Sequence, residues 1–209
     1  MNARSIFATV LLALLLLPLS ARAQESRPFQ LALVTPAQIF PDETEITGLR
    51  LSILYGRNAG MVGADVGLVA HTTGDATAAQ WAAVNIVGGD ATGWQQSLVN
   101  YNKQDFRGLG QAVVNYTAGE LTGIHGGVVN YAAGDVSGLQ GGVVNVAGGA
   151  LEGVQWGLYN QSQTTRGFQL GLVNFTRGAG SLLQIGLVNI ISGKERFPVT
   201  PIVNWATGN

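Results

Sequence analysis

Residues 123–137 read GIHGGVVNYAAGDVS and residues 138–152 read GLQGGVVNVAGGALE, and this fifteen-residue phrase recurs over most of the chain. The asparagine near its centre returns at positions 85, 100, 115, 130, 145, 160, 174, 189 and 204. The interval is fifteen residues everywhere except between Asn160 and Asn174, where it is fourteen. A constant period of this kind is the signature of a repeat protein, so the fold has to be derived from the repeat.

Each repeat predicts strand followed by turn. Glycine recurs every few residues and β-branched valine dominates, which disfavours helix and favours strand. The first nine residues of a unit alternate as a strand does, and this alternation predicts that Asn145 and Gln140 lie on opposite faces. Segments such as residues 132–135 are predicted to be turns, and Asn102 falls in the equivalent segment of its own unit.

Two all-β architectures fit this pattern. The first is a parallel β-solenoid with one 15-residue repeat per coil, in which equivalent residues stack about 4.8 Å apart. The alternative is an up-and-down antiparallel β-barrel, in which long and short turns alternate. Every turn here has the same length, and the one-residue deletion within residues 161–166 fits a corner of a coil. The sequence therefore favours the solenoid.

The repeats divide the chain into four segments. Arg4, the apolar run over residues 6–17 and the Ala21-Arg22-Ala23 site predict a signal peptide over residues 1–23. Residues 24–47 do not fit the repeat and are predicted to cap the stack, which occupies residues 48–193. Residues 194–209 are predicted to be a second cap. The first two units lack the asparagine and carry Tyr55 and Ala70 in its place.

The phrases GFQLGLVNFTRGAG (residues 167–180) and LLQIGLVNIISG (residues 182–193) resemble the units of bacterial surface repeat-containing proteins. These are exported proteins built of GLQ-x-GL(V/I)N units, a family without an assigned function. The resemblance extends over about residues 46–205, with departures at Gln111, Gly126 and Gly141. It implies residence at the cell surface or envelope, and it brings no catalytic residues with it.

Composition and charge restrict the function further. Without residues 1–23 the chain has nine basic and twelve acidic residues, a net charge of about −3, which argues against nucleic acid as a partner. The chain contains no cysteine, so disulfides and thiolate chemistry are excluded. His71 and His125 occupy different columns of the repeat, and neither has a paired carboxylate or the spacing of a metal site. We therefore predict no catalytic residue, no bound cofactor and no enzymatic activity.

Three columns of the repeat are candidate sites. The asparagine column predicts a structural ladder of buried amides; its members are Asn85, Asn100, Asn115, Asn130, Asn145, Asn160, Asn174 and Asn189. An acidic column predicts either solvated turn residues or a row of calcium sites; its members are Asp75, Asp90, Asp105, Glu120 and Asp135. An aromatic column predicts rings that stabilise the stack or dock glycans; its members are Tyr101, Tyr116 and Tyr131, with Phe175 in the same place later.

Together these features predict an exported, non-enzymatic structural or interaction protein of the bacterial cell envelope or surface. Its predicted location is past the inner membrane, at the cell surface, in the outer membrane or in the periplasm. The expected partners are envelope or surface components, including glycans, other proteins and the outer membrane itself. Two alternatives stay open at this point, an outer-membrane β-barrel that forms a pore and a subunit of an amyloid-like fibre.

Overall fold

The computed structural model describes residues 26–208, so the predicted signal peptide at residues 1–23 lies outside the described residues. The strands are β1 (Ser26–Val34), β2 (Ala37–Gln38), β3 (Glu45–Asn58), β4 (Gly60–Thr72), β5 (Ala76–Val87), β6 (Ala91–Gln96), β7 (Val99–Asn102), β8 (Phe106–Thr117), β9 (Leu121–Ala132), β10 (Val136–Gly141), β11 (Val144–Ala147), β12 (Ala150–Trp156), β13 (Tyr159–Leu170), β14 (Val173–Ile191) and β15 (Val199–Ala206). Within residues 26–208 there is no helix of the length and hydropathy needed to cross a bilayer.

The coils stack in parallel and in register. Gln140 in β10 pairs with His125 in β9 on one side and with Gln155 in β12 on the other, each fifteen residues away. The same offset relates most neighbouring strands from β3 to β14, giving about eleven turns. The prediction of a β-solenoid is therefore confirmed, and the antiparallel alternative is wrong. The one-residue deletion falls between Gln161 and Thr164, inside the predicted segment.

Each coil changes direction at three places. Gly138 has φ 141°, and a side chain there would overlap the carbonyl oxygen of Gly123 in the coil below, so this bend requires glycine. The second bend is the break between β10 and β11 at Gly142 and Val143. The third is the turn that follows β11. Some coils are therefore split into two short strands at the second bend, whereas β8 and β9 pass through it as single strands of 12 residues.

The second bend overturns the predicted facing of the polar columns. Asn145 and Gln140 are both fully buried in the interior of the stack. The alternation between faces holds within β10 and again within β11, but the break at Gly142 and Val143 shifts its phase by one residue. The prediction that these two side chains lie on opposite faces is therefore wrong, because it treated a cornered segment as one straight strand.

Two further assignments from the sequence need correction. In the first full coil Tyr55 pairs with Val69, and Gly56 pairs with Ala70, because the register shifts after Ser52. Tyr55 therefore does not occupy the asparagine column. Asn102 is the last residue of β7 and is fully buried, whereas the pattern placed it in a turn.

The interior has an apolar part and an amide part. The apolar part is a cluster of buried side chains that lie on either side of the turn between coils, and it comprises Ile46, Met61, Ala76, Ala78, Val87, Ala91, Phe106, Leu121, Ala132, Val136, Ala147 and Leu151. The amide part, which lies behind the bend at Gly142 and Val143, contains the buried glutamine and asparagine columns. Burial of the apolar cluster supplies the hydrophobic stabilisation of the stack.

The two ends of the stack differ from its middle. At the amino-terminal end β1 pairs in parallel with β3, and the two-residue strand β2 lies antiparallel along β1. At the carboxy-terminal end β15 runs antiparallel to β14. Asn204 therefore does not extend the parallel asparagine column; its amide Nδ2 donates to the backbone oxygen of Asn189 at 3.3 Å, and its Oδ1 accepts from Lys194.

Candidate functional surfaces

The asparagine column is a continuous hydrogen-bonded ladder. From Asn85 to Asn189 the Nδ2 atom of each amide donates to the Oδ1 atom of the next asparagine, at 2.8–2.9 Å. The ladder begins at Asn85, whose Oδ1 atom has no partner because Ala70 occupies the same place in the preceding coil. The structure thus brings together all eight predicted members of the ladder.

The ladder amides from Asn115 to Asn174 also secure the bend of the next coil. The Nδ2 atom of Asn130 donates to the carbonyl oxygen of Gly141 at 3.0 Å, and that of Asn145 donates to the carbonyl oxygen of Trp156 at 3.0 Å. These carbonyls lie just before the break between the two short strands of the coil. Asparagine suits this place because one amide group supplies two donors and one acceptor.

The glutamine column forms a second ladder that runs in the opposite direction. The Nε2 atom of Gln155 donates to Oε1 of Gln140, and Gln169 and Gln184 continue the series at 2.8 and 2.7 Å. The sequence pattern placed these residues in a column but did not reveal that they face the asparagines. The signal that was available is the pair formed by a small residue and an aliphatic residue, as in Gly142-Val143, which marks the bend.

At the amino-terminal end the glutamine ladder terminates on a buried ion pair. The Nε2 atom of Gln80 donates to Oδ2 of Asp65 at 2.9 Å, and that carboxylate receives two hydrogen bonds from the guanidinium of Arg50. Both charged side chains are fully buried. Arg50 also donates to Thr72 and to the backbone oxygen of His71, so the charges are paired and their polar atoms are engaged.

His125 interrupts the glutamine ladder. It lies above Gly110, and its ring packs 5.1 Å from the ring of Phe106, measured between centroids. Neither ring nitrogen has a hydrogen-bond partner, and burial lowers the pKa of His125 to about 3. The imidazole is therefore neutral at pH 7 and occupies the space that Gly110 leaves open.

His71 lies elsewhere, on the outside of the second full coil. Its Nδ1 atom lies 2.8 Å from the hydroxyl oxygen of Tyr55. Burial lowers the pKa of His71, and the positive charges of Lys103, Arg57 and Arg50 lower it further. The structure brings the two histidines into no common site, as their different columns predicted.

The acidic column lies along the turn edge of the stack. The Oδ1 atom of Asp75 accepts the backbone N–H of Asp90 at 2.9 Å, and Asp90 and Asp105 do the same for the residue fifteen places later, at 3.2 and 2.8 Å. Asp135 accepts the N–H of Ala150. These carboxylates therefore bridge successive turns. Among the described residues, no group of three or more His, Cys, Asp or Glu side chains is arranged to hold a metal ion.

The tyrosine column is a stack of nearly parallel rings. The centroids of Tyr101 and Tyr116 are 5.0 Å apart, and those of Tyr116 and Tyr131 are 5.3 Å apart, with interplanar angles of 17° and 7°. The stack ends where Val146 follows Tyr131 in the next coil. Its rings stay partly exposed, so they form a short aromatic strip on the outer surface.

The largest surface feature was not predicted from the sequence. The side chains on the outer surface around the bend at Gly142 and Val143 are apolar in almost every coil, and we call this surface the apolar face. Its most exposed part, the crest row, consists of Leu68, Ala83, Leu98, Val113, Val128, Val143, Leu158, Leu172 and Leu187. Leu98 is 59% exposed although Ala83 and Val113 of the same row lie below and above it, and Leu187 at the end of the row is 67% exposed.

Comparison of the chain with protein-family models, with curated proteins and with solved structures gives no match. The resemblance to bacterial surface repeat-containing proteins is therefore still a prediction that rests on the GLQ-x-GL(V/I)N pattern.

Proposed function

We propose that this chain is an exported, non-enzymatic structural or interaction protein of the bacterial envelope, which presents a long repetitive surface to other envelope components. One observation carries the proposal. The polar side chains that repeat most regularly, such as Asn130 and Gln155, are bonded to each other in the interior, whereas the repeated outer surface is apolar. Such a design supports binding over an extended surface rather than chemistry at one point.

The predicted leader supports the same proposal. Arg4 and the Ala21-Arg22-Ala23 site have the form of a signal peptide, and the resemblance of the repeats to exported surface proteins agrees with it. A chain that is exported meets the envelope before any other partner. The proposed partners are therefore envelope lipids, surface glycans or proteins anchored there.

The test is expression of the full chain with a carboxy-terminal tag in a Gram-negative bacterium, followed by separation of cytoplasm, periplasm and membranes. We expect the protein in an envelope fraction with Gln24 as its first residue. A matched chain that lacks residues 2–23 is expected to stay in the cytoplasm. An unprocessed full chain found in the cytoplasm would contradict the proposal.

The fibre alternative is tested in the same preparations by electron microscopy. Growth into fibres requires another chain to add to an end strand of the stack. At one end the outer strand is β15, which contains Pro201, a residue without a backbone N–H to donate to such a partner. We therefore expect separate particles, and long unbranched fibres from the purified chain would favour the fibre alternative.

A further inference from the structure

We propose that the apolar face is a lipid-binding surface, with which the solenoid lies on a phospholipid bilayer so that the crest row enters the hydrocarbon. This inference rests on the proposed function, because it names the envelope component that the repeated surface contacts. It is carried by four observations: the absence of charge, the shape of the crest, the internal satisfaction of the backbone, and the aromatic margins.

The apolar face is free of charged side chains. On each coil the apolar face has four outward positions, two before the bend and two at and after it. From Leu49 to Val188, none of these positions is occupied by Asp, Glu, Lys or Arg. The charged residues outside the interior lie on the turn edge and beside it, as Asp90, Lys103, Arg107 and Glu152 do. Because a charge is costly in hydrocarbon, this segregation is what insertion of one side would require.

The size of the apolar face lies at the upper end of what the surface of a monomeric protein normally carries. Eight steps of about 4.8 Å separate Leu68 from Leu187, and five residues at about 3.3 Å cross the face, which gives a projected area on the order of 600 Å². Exposed apolar side chains of the end strands, including Leu33 and Trp205, extend it further. Contiguous apolar patches of this size mark contacts with proteins or membranes.

The exposure of the side chains falls on the side of the crest row that follows the bend. Val128 is 45% exposed and Leu158 is 52% exposed, whereas the residues that follow them, Val129 and Tyr159, are half-buried and thus less exposed. The surface therefore curves away from the crest row on that side, and a curved surface enters a fluid hydrocarbon layer more readily than it matches the flat face of a second protein.

The backbone beneath the crest row needs no water. The N–H of Val143 donates to the carbonyl oxygen of Val128, and the carbonyl oxygen of Val143 accepts the N–H of Leu158, both at 2.9 Å. The carbonyl oxygen of Gly141 accepts a hydrogen bond from the ladder amide Asn130, from inside the stack. Protein in contact with lipid must satisfy its backbone groups internally, and the amide ladder provides this at the bend, where the strands are interrupted.

Aromatic side chains flank the crest on both sides. Trp81 and Trp94 lie on the side before the bend, and their indole N–H groups donate to Gln96 and Gln111. The tyrosine stack lies on the side after the bend. Tryptophan and tyrosine are favoured at the boundary between hydrocarbon and water, because one end of each side chain is apolar and the other polar.

A second copy of the chain fits the face less well. Protein interfaces carry about one hydrogen bond per 100–200 Å², and the crest row offers no side-chain donor or acceptor at all. The net charge of about −3 without residues 1–23 also indicates that attraction to anionic lipid is not what drives binding. Binding is therefore expected to zwitterionic vesicles and to survive high salt.

The test uses the full chain, purified in mild detergent and transferred to phosphatidylcholine vesicles, which are then floated on a density gradient. The crest variant carries Leu98→Glu, Val128→Glu and Leu158→Glu. Its matched control carries Thr92→Glu, Thr122→Glu and Ser137→Glu, which add the same three charges at exposed positions beside the turn edge. We expect the unaltered chain and the control to float equally in low and high salt, and the crest variant to bind at least tenfold more weakly.

A second measurement does not depend on the folding of any variant. Phosphatidylcholine with brominated acyl chains quenches tryptophan only within the hydrocarbon layer, and Trp156 is 67% exposed beside the crest. We expect at least a 1.5-fold loss of tryptophan fluorescence in the unaltered chain. A chain that neither floats nor is quenched would overturn the lipid proposal, as would a folded crest variant that floats as well as the control.

The remaining outcomes are distinguishable. One outcome is that the unaltered chain is a dimer by sedimentation and fails to bind vesicles, while the crest variant alone is a monomer. That result would assign the apolar face to contact with a second copy of the chain. Failure to bind vesicles by a chain that is still processed and recovered with the envelope would overturn only the lipid proposal. An unprocessed cytoplasmic chain that nevertheless binds vesicles would overturn only the proposed function.

Discussion

The two halves of each coil are built in opposite ways. Around the turn, apolar side chains such as Phe106 and Leu121 are buried, and charged residues such as Asp90 face outward, as in ordinary soluble proteins. Around the bend at Gly142 and Val143 the order is reversed, because the amides are inside and the aliphatic side chains are outside. One half is therefore held by hydrophobic burial and the other by hydrogen bonds, and only the second offers an apolar surface to a partner.

This difference shows why the repeat is so regular. An apolar cluster tolerates exchange among aliphatic residues, and the corresponding column varies freely between Ala91, Phe106, Leu121 and Val136. The asparagine ladder varies less than the apolar column, because each inner member both donates to one neighbour and accepts from the other. The invariant asparagines are thus explained by the geometry of the ladder itself.

The largest expected effect comes from breaking the amide half. Asn130→Leu removes the acceptor of Asn115, the donor to Asn145 and the donor to the carbonyl of Gly141. Each buried polar group that is left without a partner costs about 1–3 kcal/mol, so we expect a loss of about 3 kcal/mol or more in the free energy of unfolding. Chemical denaturation followed by circular dichroism measures it.

The matched control for this substitution is Gln96→Leu. The side chain of Gln96 faces outward, and its Oε1 atom accepts a hydrogen bond from the indole N–H of Trp81. We expect it to cost less than about 1 kcal/mol, since its polar atoms reach water in the native state. If the two variants unfolded at the same denaturant concentration, the ladder would have no special role in stability.

A single substitution in the apolar half is expected to lower the free energy of unfolding by a similar amount. Phe106 is fully buried between Ala91 and Leu121 in the neighbouring coils, and Phe106→Ala leaves a cavity there. Such truncations cost about 3–5 kcal/mol, towards the lower end where neighbours can fill the space. Here the ring of His125 is one such neighbour.

The control for the cavity is Leu98→Ala on the crest row. Because Leu98 is 59% exposed, its truncation in detergent solution is expected to change the free energy of unfolding by less than about 1 kcal/mol. Equal losses from the two truncations would mean that the crest is buried in the particle under study, and sedimentation of that particle would then identify what covers it.

These variants also bear on what the sequence could and could not predict. The period of fifteen residues was enough to predict parallel stacking, because identical residues at one spacing are explained when equivalents lie above each other. The bend at Gly142 and Val143 could not be predicted from alternation, because the residues before it alternate as they do in a straight strand. Only the facing of the side chains after the bend differs between the two cases. The error on Asn145 and Gln140 followed directly from that.

The reversal of facing also hid the apolar face. With a straight strand, half of the valines and leucines are assigned to a core; with the bend, Val143 and its equivalents point outward instead. The ends were equally hard to predict, because the antiparallel direction of β15 and the shifted register at Tyr55 depend on contacts between coils rather than on the repeat. The acidic column was placed correctly at a turn, but its bridging hydrogen bonds required coordinates.

A smaller effect is expected from the interruption in the glutamine ladder. The pKa of His125 is about 3 in the folded chain against 6.5 for an exposed histidine, so folding favours the neutral ring. Its contribution to stability is present above pH 6.5 and is lost as the pH falls from there towards about 3. Within this window the loss approaches about 1.4 kcal/mol per pH unit.

The substitution that tests this is His125→Gln, which introduces the residue that this column has in the coil directly above, Gln140. We expect the variant to lose less stability than the unaltered chain between pH 6.5 and pH 5, measured by denaturant unfolding at each pH. His71→Gln is the control, because its pKa is also lowered but the side chain is only half-buried. Identical pH profiles for the unaltered chain and His125→Gln would show that this histidine is not buried in the neutral form.

The smallest effect is expected at the turn edge, where the acidic column lies. Neighbouring carboxylates about 5 Å apart repel by about 0.8 kcal/mol in water, and less once salt screens them. Asp90 and Asp105 each accept a backbone N–H of the next coil, and an asparagine can accept the same bond without the charge. The combined variant Asp90→Asn, Asp105→Asn and Glu120→Gln is therefore expected to raise the melting temperature by a few degrees at low salt.

Calcium separates the two explanations of this column. A cation that binds only the folded chain raises its stability by RT ln(1 + [L]/Kd), so millimolar Ca²⁺ would raise the melting temperature of the unaltered chain but not of the triple variant. Because the Oδ1 atoms of Asp75, Asp90 and Asp105 already accept backbone N–H groups, we expect the melting curves in Ca²⁺ and in Na⁺ at matched ionic strength to coincide. A rise that is specific for Ca²⁺ and absent in the variant would instead establish the acidic column as a row of cation sites, and would make the turn edge a second functional surface opposite the apolar one.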